Sequence, residues 1–379
     1  MATTPKCLYR GVLPAAGGAV WTARTLPASV NWQLVIYGGG LFVASAQGSS
    51  TLATSPDGIT WTAQTFPSSK TWAVAYGNGQ YVAVSQGFTA AATSPDAVTW
   101  TARTLPSGSG WISVTYGNGL FVTVASGSTA AASSPDGITW TARTLPSSAN
   151  WQSVAYGNGT FVAISYISSA AATSLDGITW TARTMPSSTS WSCVTYGNGL
   201  FVAVAQSGGT AATSPDGITW TTRSMSAAVT WNSVTYSGGQ FVAVAQNSSI
   251  ASTSPDGITW TSRTMPSAAT WYSVAGSGGT FAAVASASNS AASSGASLLY
   301  TAPAATSAVL SSICLTNSAA SSATVTLQID GVDLFPGVTV PANDKLIYSI
   351  RQTLDPGKTI KGFTAGAAVS AHLSGVEIA

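Results

Sequence analysis

Trp151-Gln-Ser-Val-Ala-Tyr156, Gly157-Asn-Gly159, Phe161-Val-Ala-Ile-Ser165, Ala170-Ala-Ala-Thr173, Ser174-Leu-Asp-Gly177 and Ile178-Thr-Trp-Thr-Ala-Arg183 follow one another in the chain. The first run alternates and is rich in aromatic and β-branched residues. Asn-Gly supplies the positive φ angles of a tight hairpin turn before the second run. The third run is followed by a turn that reads Ser-Pro-Asp-Gly in most equivalent places, with Pro and Gly where a type I turn wants them. A fourth run closes the stretch. Four short antiparallel strands joined by such turns are predicted.

The stretch is one copy of a repeat. The fourteen tryptophans form two series. One is Trp21, Trp61, Trp100, Trp140, Trp180, Trp220 and Trp260, the other Trp32, Trp72, Trp111, Trp151, Trp191, Trp231 and Trp271. Successive members are 40 residues apart, with one step of 39, so seven units run from about Ala19 to Gly295. Four-stranded units at this period predict the blades of a β-propeller. The last unit lacks a Trp-Thr-x-Arg strand, and the first is preceded by a lone copy, Val20-Trp-Thr-Ala-Arg24. Val20–Thr25 is therefore expected to complete the seventh blade and close the ring, leaving no open sheet edges. The fold class expected is all-β: a seven-bladed β-propeller over residues 17–296, with a small C-terminal β-sandwich or jelly roll over 297–379 and an N-terminal strand in 1–16 that pairs with it.

Charged residues are 6% of the 379, against roughly 25% in typical soluble domains. The net charge is +2 and no basic run exists, which argues against a nucleic-acid partner. No apolar stretch approaches the roughly 20 residues of a membrane span, and no signal-peptide core follows Met1, so folding in a cytoplasm is expected. Cys7, Cys193 and Cys314 have neither disulfide nor metal spacing and read as free thiols, with a Cys7–Cys314 contact open if the chain ends pair.

The turn motif at Ser55–Trp61, Ser94–Trp100, Ser134–Trp140, Ser174–Trp180, Ser214–Trp220 and Ser254–Trp260 resembles the Asp-box of sialidase-like propellers, one residue shorter than that family's usual spacing. The resemblance implies a structural turn role for Asp57, Asp96, Asp136, Asp176, Asp216 and Asp256. It does not extend to catalysis. Those six are the only acids between Gly17 and Ala296, and the span has no Glu or His. A glycosidase needs two differently tuned carboxylates, and repetition gives each the same surroundings. One isolated carboxylate per unit does not make a calcium site. His372, the lone histidine, reads as a strand residue. No enzyme activity, no metal and no cofactor are expected. The Trp-Thr-x-Arg strands could stack Arg on Trp between units, although packing is the expected role of those tryptophans.

Compared with one another, the units hardly vary at Gly-Asn-Gly and Ser-Pro-Asp-Gly. Variation collects in the loop leading into each unit and in the loop between its second and third strands. Both emerge on one face in a four-stranded antiparallel blade, and loops on a rigid scaffold carry recognition. Ligand-binding candidates there are Phe88, Tyr166, Gln206, Gln246 and Asn247, with Trp32, Trp72, Trp111, Trp151, Trp191, Trp231 and Trp271 at the mouth of the channel. Neutral amides and hydroxyls beside aromatic rings suit a glycan, and seven similar weak sites would act by avidity. Unrestrained drift of the loops is the other reading.

Tyr300-Thr-Ala-Pro, Ser312-Ile-Cys-Leu-Thr-Asn317, Thr324–Gly331, Leu354–Ile360 and His372–Glu377 resemble a β-module of bacteriophage tail and other virion proteins, with Leu8–Pro14 like its leading strand. That resemblance implies a propeller inserted near Pro14 and Leu298. It further implies a non-enzymatic virion protein, made in the host cytoplasm and homo-oligomeric in the particle. The β-domain would bind other virion proteins, and the variable face would meet host surface polysaccharide or a receptor. A purely architectural cap or decoration protein is the alternative, and a secreted multivalent lectin the third.

Overall fold

Strands that alternate residue by residue present two faces, so a strand apolar throughout must be covered on both. Phe201-Val-Ala-Val-Ala205 is such a strand, with every side chain at 0% exposure. Phe201, Ala203 and Ala205 pack with Val162, Ile164 and Trp191 on one side, whereas Val202 and Val204 pack with Trp231 and Phe241 on the other. The same division recurs around the repeats. Val242 and Val244 meet Phe281, and Ala282 and Val284 of the last unit meet Phe42 and Trp32 of the first. Each side chain so buried contributes about 1.5–3 kcal/mol for the larger residues.

The computed structural model describes residues 6–12, 20–295, 297–301, 307–318, 320, 322–329, 332–355, 358–366 and 369–378, and contains no helix among them. It divides into two compact units, one of Trp21–Gly276 with Phe281–Ser293, the other of Met1–Val20, Ser277–Thr280 and Ser294–Ala379. The repeats form antiparallel sheets. In one, Trp231–Ser237, Gln240–Ala245, Ser248–Ser254 and Thr261–Ala269 lie side by side in chain order. Two adjacent repeats share a six-stranded sheet because Leu120–Ser134 and Thr141–Gly157 run on without interruption through two strand positions each. Thr22–Val30 takes the fourth place beside Ser288–Ser294, joining the first repeat residues to the last. A second tie across this junction is Val35 N–H donating to Ser273 Oγ at 3.0 Å.

The hairpin turns behave as their sequence demands. Asn158 and Gly159 have φ of 47° and 74°, the left-handed pair of a type I′ turn. In the Ser-Pro-Asp-Gly turn of the following unit, Gly217 has φ of 74°, and a Cβ there would stand 2.4 Å from Val162. These two turns lie at the same end of the sheets and are tied between units: Asn118 Nδ2 donates to Leu175 O, and Asn198 Nδ2 to Pro255 O at 3.2 Å.

The innermost strands interlock at this same end. A Cβ on Gly157 would lie 2.0 Å from the ring of Tyr196, and Gly38, Gly77, Gly117 and Gly197 stand in the same relation to Tyr76, Tyr116, Tyr156 and Tyr236. Each tyrosine also meets the aromatic ring across its own hairpin, as in Tyr156–Phe161 at 4.6 Å. Serine replaces the glycine at two places, at Ser277 with Tyr37 of the first unit kept, and at one step where the tyrosine changes as well. There the glycine is Ser237 and the tyrosine is Gly276, whose Cβ would be 2.6 Å from that of Ser237. Both partners changed size, in opposite senses.

In the other compact unit, Lys6–Val12, Val369–Ile378, Ser307–Asn317 and Asp344–Leu354 make one sheet, and Ser297–Thr301, Thr359–Gly366, Ala323–Ile329 and Val332–Val340 another. Leu310, Ile313 and Leu315 of the first share one core with Val325, Leu327 and Ile360 of the second. Pro336 and Gly337 lie inside Val332–Val340, at a register irregularity against Ala323–Ile329. The junction at Pro14 falls outside the described residues. Cys314 is a free thiol paired across the sheet with His372, while Cys7 is paired with Ser374, so the two cysteines are not opposite one another.

The interlock sets a test. Gly157→Ser should cost about 1–3 kcal/mol by overpacking against Tyr196. Tyr196→Gly should cost roughly 2–4 kcal/mol by removing a packed ring. The double variant, which reproduces the Ser237 and Gly276 pair, should cost at least about 1 kcal/mol less than the sum. Urea unfolding of the four proteins measures this, and simple additivity would show that the two positions do not share a contact.

Candidate functional site

The first strand of every unit lines a central cavity of about 180 Å³. Its position follows from a bulge. In five units the residue after the second-series tryptophan is extra to the pairing: Gln33, Ile112, Gln152, Ser192 and Asn232. A bulge re-aims its residue, here into the cavity. Tyr272 holds this place in the last unit. The unit of Trp72 pairs residue for residue without a bulge, which is where the 39-residue step loses its residue. The next position forms a ring of bonds between units. Ser113, Ser153, Ser233 and Ser273 accept from the backbone N–H of Val154, Val194, Val274 and Val35 at 3.0–3.2 Å, and the Cys193 thiol lies 3.6 Å from Val234 O.

One edge of the cavity holds an amide cluster. Asn232 Oδ1 accepts from Gln206 Nε2 at 2.7 Å and from Gln246 Nε2 at 2.6 Å, and its own Nδ2 donates to Trp271 O. Gln206 and Gln246 open the loops between second and third strands, and their backbone N–H groups donate to Ser190 O and Thr230 O. Tyr166 occupies the same loop position two units before Gln246, bonded likewise to Asn150 O. No Asp, Glu, Lys, Arg or His lines the cavity. Its ionisable groups are held neutral: burial pushes the Cys193 thiol up, and burial, then the Tyr166 phenol, pushes Tyr272 up.

The seven tryptophans placed at the mouth by sequence do not offer their rings to a ligand. Trp32, Trp72, Trp111, Trp151, Trp191, Trp231 and Trp271 are at most 3% exposed. Each indole Nε1 donates to the carbonyl four residues earlier at 2.9–3.2 Å, which anchors the lead-in loop to the strand. Their rings fill the space between sheets, as large aromatics do once their N–H is satisfied. Phe88 is exposed, but Lys70 Nζ sits 3.2 Å from its ring centroid and covers one face. Asn247 is an exposed turn residue at φ 48° whose Oδ1 accepts from Thr270 Oγ1 at 2.7 Å. Of the remaining candidates, Gln206 and Gln246 come together through Asn232. Sequence reading missed Asn232, Gln152 and Tyr272, although the position after the tryptophan runs Gln, Ala, Ile, Gln, Ser, Asn, Tyr through the units.

The Trp-Thr-x-Arg strands use their arginines differently from an Arg–Trp stack. Arg183 Nε donates to Thr173 Oγ1 at 3.0 Å on the adjacent strand, and Arg24, Arg103, Arg143, Arg223 and Arg263 do the same with Ser or Thr.

The six aspartates organise turns. Asp216 Oδ1 accepts from the N–H groups of Ile218 and Thr219 and from Ser214 Oγ, and Asp57, Asp96, Asp136, Asp176 and Asp256 repeat this set. The N–H of Thr99, Thr139, Thr179 and Ile218 is the largest influence holding Asp96, Asp136, Asp176 and Asp216 below the usual carboxylate range. At Asp256 burial acts first and upward, but the bonds from Thr259, Ile258 and Ser254 together outweigh it. No group of three or more His, Cys, Asp or Glu is placed to hold a metal among the described residues.

Residues 95–227 match the family model of the DUF6242 beta propeller domain. The chain carries a β-propeller domain. No curated protein sequence matches it. Among solved structures, it resembles virginiamycin B lyase from Staphylococcus aureus in complex with quinupristin, with a TM-score of 0.65 and 10% identity over 73% of this chain and 99% of that one. It also resembles the computationally designed Ika8 protein, with a TM-score of 0.54 and 10% identity over 73% of this chain and 99% of that one. A third likeness is PorZ, a bacterial surface component of the type-IX secretion system of Porphyromonas gingivalis, with a TM-score of 0.52 and 13% identity over 75% of this chain and 40% of that one. At these identities the likeness is one of fold, and it carries nothing of a virion protein or of the sialidase turn.

The aspartate turns give a pH dependence. A carboxylate whose folded pKa is depressed stabilises fully above its unfolded value, about 3.9, and that stabilisation is lost as pH falls through the folded value. Urea midpoints of the natural protein should therefore drop from pH 5 towards pH 2. A variant with Asp136, Asp176 and Asp216 changed to Asn should be somewhat less stable at pH 6 and flatter with pH. Equal slopes for the two proteins would remove the aspartates from the acid response.

Proposed function

We propose that the chain is a non-enzymatic attachment protein, a seven-bladed propeller whose cavity mouth and variable loops recognise a neutral polar ligand, host surface glycan above all. The observation that carries this reading is the cavity itself, lined by every unit, diversified at its bulge residues and free of charged side chains. Its neutral Tyr272 and Cys193 offer no acid–base pair, which supports binding over catalysis. The count of seven rests on the tryptophan series and is supported by the Val35–Ser273 tie and by Thr22–Val30 closing the last sheet. The other compact unit, with two sheets around one core, fits a β-sandwich that anchors and oligomerises the protein among other virion proteins. The virion setting rests on the resemblance of Tyr300–Glu377 to phage β-modules.

One observation favours the architectural alternative. On the opposite face the turn residues Ile59, Val98, Ile138, Ile178, Ile218 and Ile258 are 40–47% exposed, an apolar side chain at the same place in six units. Such a row suits docking against another protein of the particle.

Retention of the full-length chain on immobilised bacterial surface polysaccharides separates the two. Attachment predicts retention that falls at least tenfold in Tyr166→Ala with Gln206→Ala and is unchanged by Ile138→Thr with Ile178→Thr. No retention of the natural protein, folded and at high concentration, would favour the architectural role.

A further inference from the structure

Seven like units would make seven like sites, yet the cavity is not seven-fold. Going round it, the aliphatic side chains on the cavity, Leu34, Ala73 and Ile112, all come from three consecutive units, where they stand beside Gln33, Thr71 and Gln86. The next four units add Gln152, Ser192, Asn232 and Tyr272 and no aliphatic side chain, so that side is the more polar. The more polar side is built. Ser192 Oγ is satisfied by Val204 O and Trp231 O at 3.0 and 2.8 Å, so it fixes the strand. Asn232, 7% exposed, spends its carbonyl on Gln206 and Gln246, taking one N–H from each. Gln206, which lines the cavity, then has a second N–H and a carbonyl oxygen to offer, the donor and acceptor set that vicinal hydroxyls require.

Size and charge narrow the occupant. About 180 Å³ is below the range of roughly 300–1,000 Å³ of pockets for drug-sized ligands, so one small ring fits and a chain of rings does not. A carboxylate or ammonium here would be desolvated with no opposite charge to meet it. A neutral pyranose has the matching chemistry, C–H groups for Leu34, Ala73 and Ile112 and hydroxyl edges for the amides.

We infer that the cavity binds one neutral hexose residue per chain, end-on, between the side chains of Leu34, Ala73 and Ile112 and the Gln206 and Asn232 amides. This rests on the attachment reading and gives it a stoichiometry and a sugar class. The ligand is a single terminal residue, and the loops around the mouth add contacts to whatever chain bears it.

The test titrates full-length protein with glucose, galactose, mannose, N-acetylglucosamine, N-acetylgalactosamine and glucuronate. Ligand-detected NMR gives affinity and calorimetry gives stoichiometry. Oligosaccharides ending in the bound sugar separate a free sugar from a chain terminus. Expected are one site per chain for a neutral sugar, at least tenfold weaker binding of glucuronate, and at least tenfold loss in Asn232→Leu and in Gln206→Ala, with Ile138→Thr, on the opposite face, unchanged. Gln206 is half-exposed, so its variant decides the matter if Asn232→Leu fails to fold. Sugar binding that survives Gln206→Ala, a stoichiometry near seven, or equal binding of glucuronate would overturn the single-site inference while leaving attachment standing. No sugar bound and no retention on polysaccharide would overturn both.

Discussion

The second strand of each repeat is covered on both faces, and the rest of the molecule follows from that. A sheet whose inner strands are apolar on both sides must have a neighbour on each side, and the neighbour has the same need. Only a closed series of sheets meets it for every member. Ala282 and Val284 against Phe42 and Trp32 carry the packing from the last repeat to the first, and Thr22–Val30 supplies the outer strand the last repeat lacks. With 6% charged residues, little else holds the sheets together. The work falls to burial and to neutral hydrogen bonds, repeated from unit to unit.

Much of this was legible in the sequence because the determinants are local and periodic. Asn-Gly and Ser-Pro-Asp-Gly specify turns within four residues, and strand alternation is visible over six. The four strands read for each unit agree with sheets such as Trp231–Ser237 to Thr261–Ala269. The site was less legible. Trp32 and its equivalents looked like a binding ring because their spacing placed them near the mouth, but spacing does not say which side of a sheet a bulge turns a residue to. The indole is turned between sheets and the residue after it into the cavity. Phe88 looked like a free aromatic because Lys70, on a different loop, reaches it only in three dimensions. Variation was sought in loops, where it is expected, and the variable strand position beside each tryptophan went unread.

Within one chain, the way repeats differ separates constraint from freedom. At the interlock of innermost strands one glycine and its tyrosine change together, to Ser237 and Gly276, so that a serine side chain takes space a phenol ring fills elsewhere. At the bulge the residue runs through amide, aliphatic, hydroxyl and phenol without a matching change in the strand beside it. Packing therefore imposes no side chain there, and the bulge is tolerated with its residue removed, as at Trp72. The exception is Asn232, which is matched by Gln206 and Gln246 from two different loops. Three amides joined at an unconstrained position form an arrangement the fold does not need. A near-symmetric scaffold acquires a directional site only by breaking its symmetry at places where stability does not hold the repeats alike, and the cavity wall is such a place.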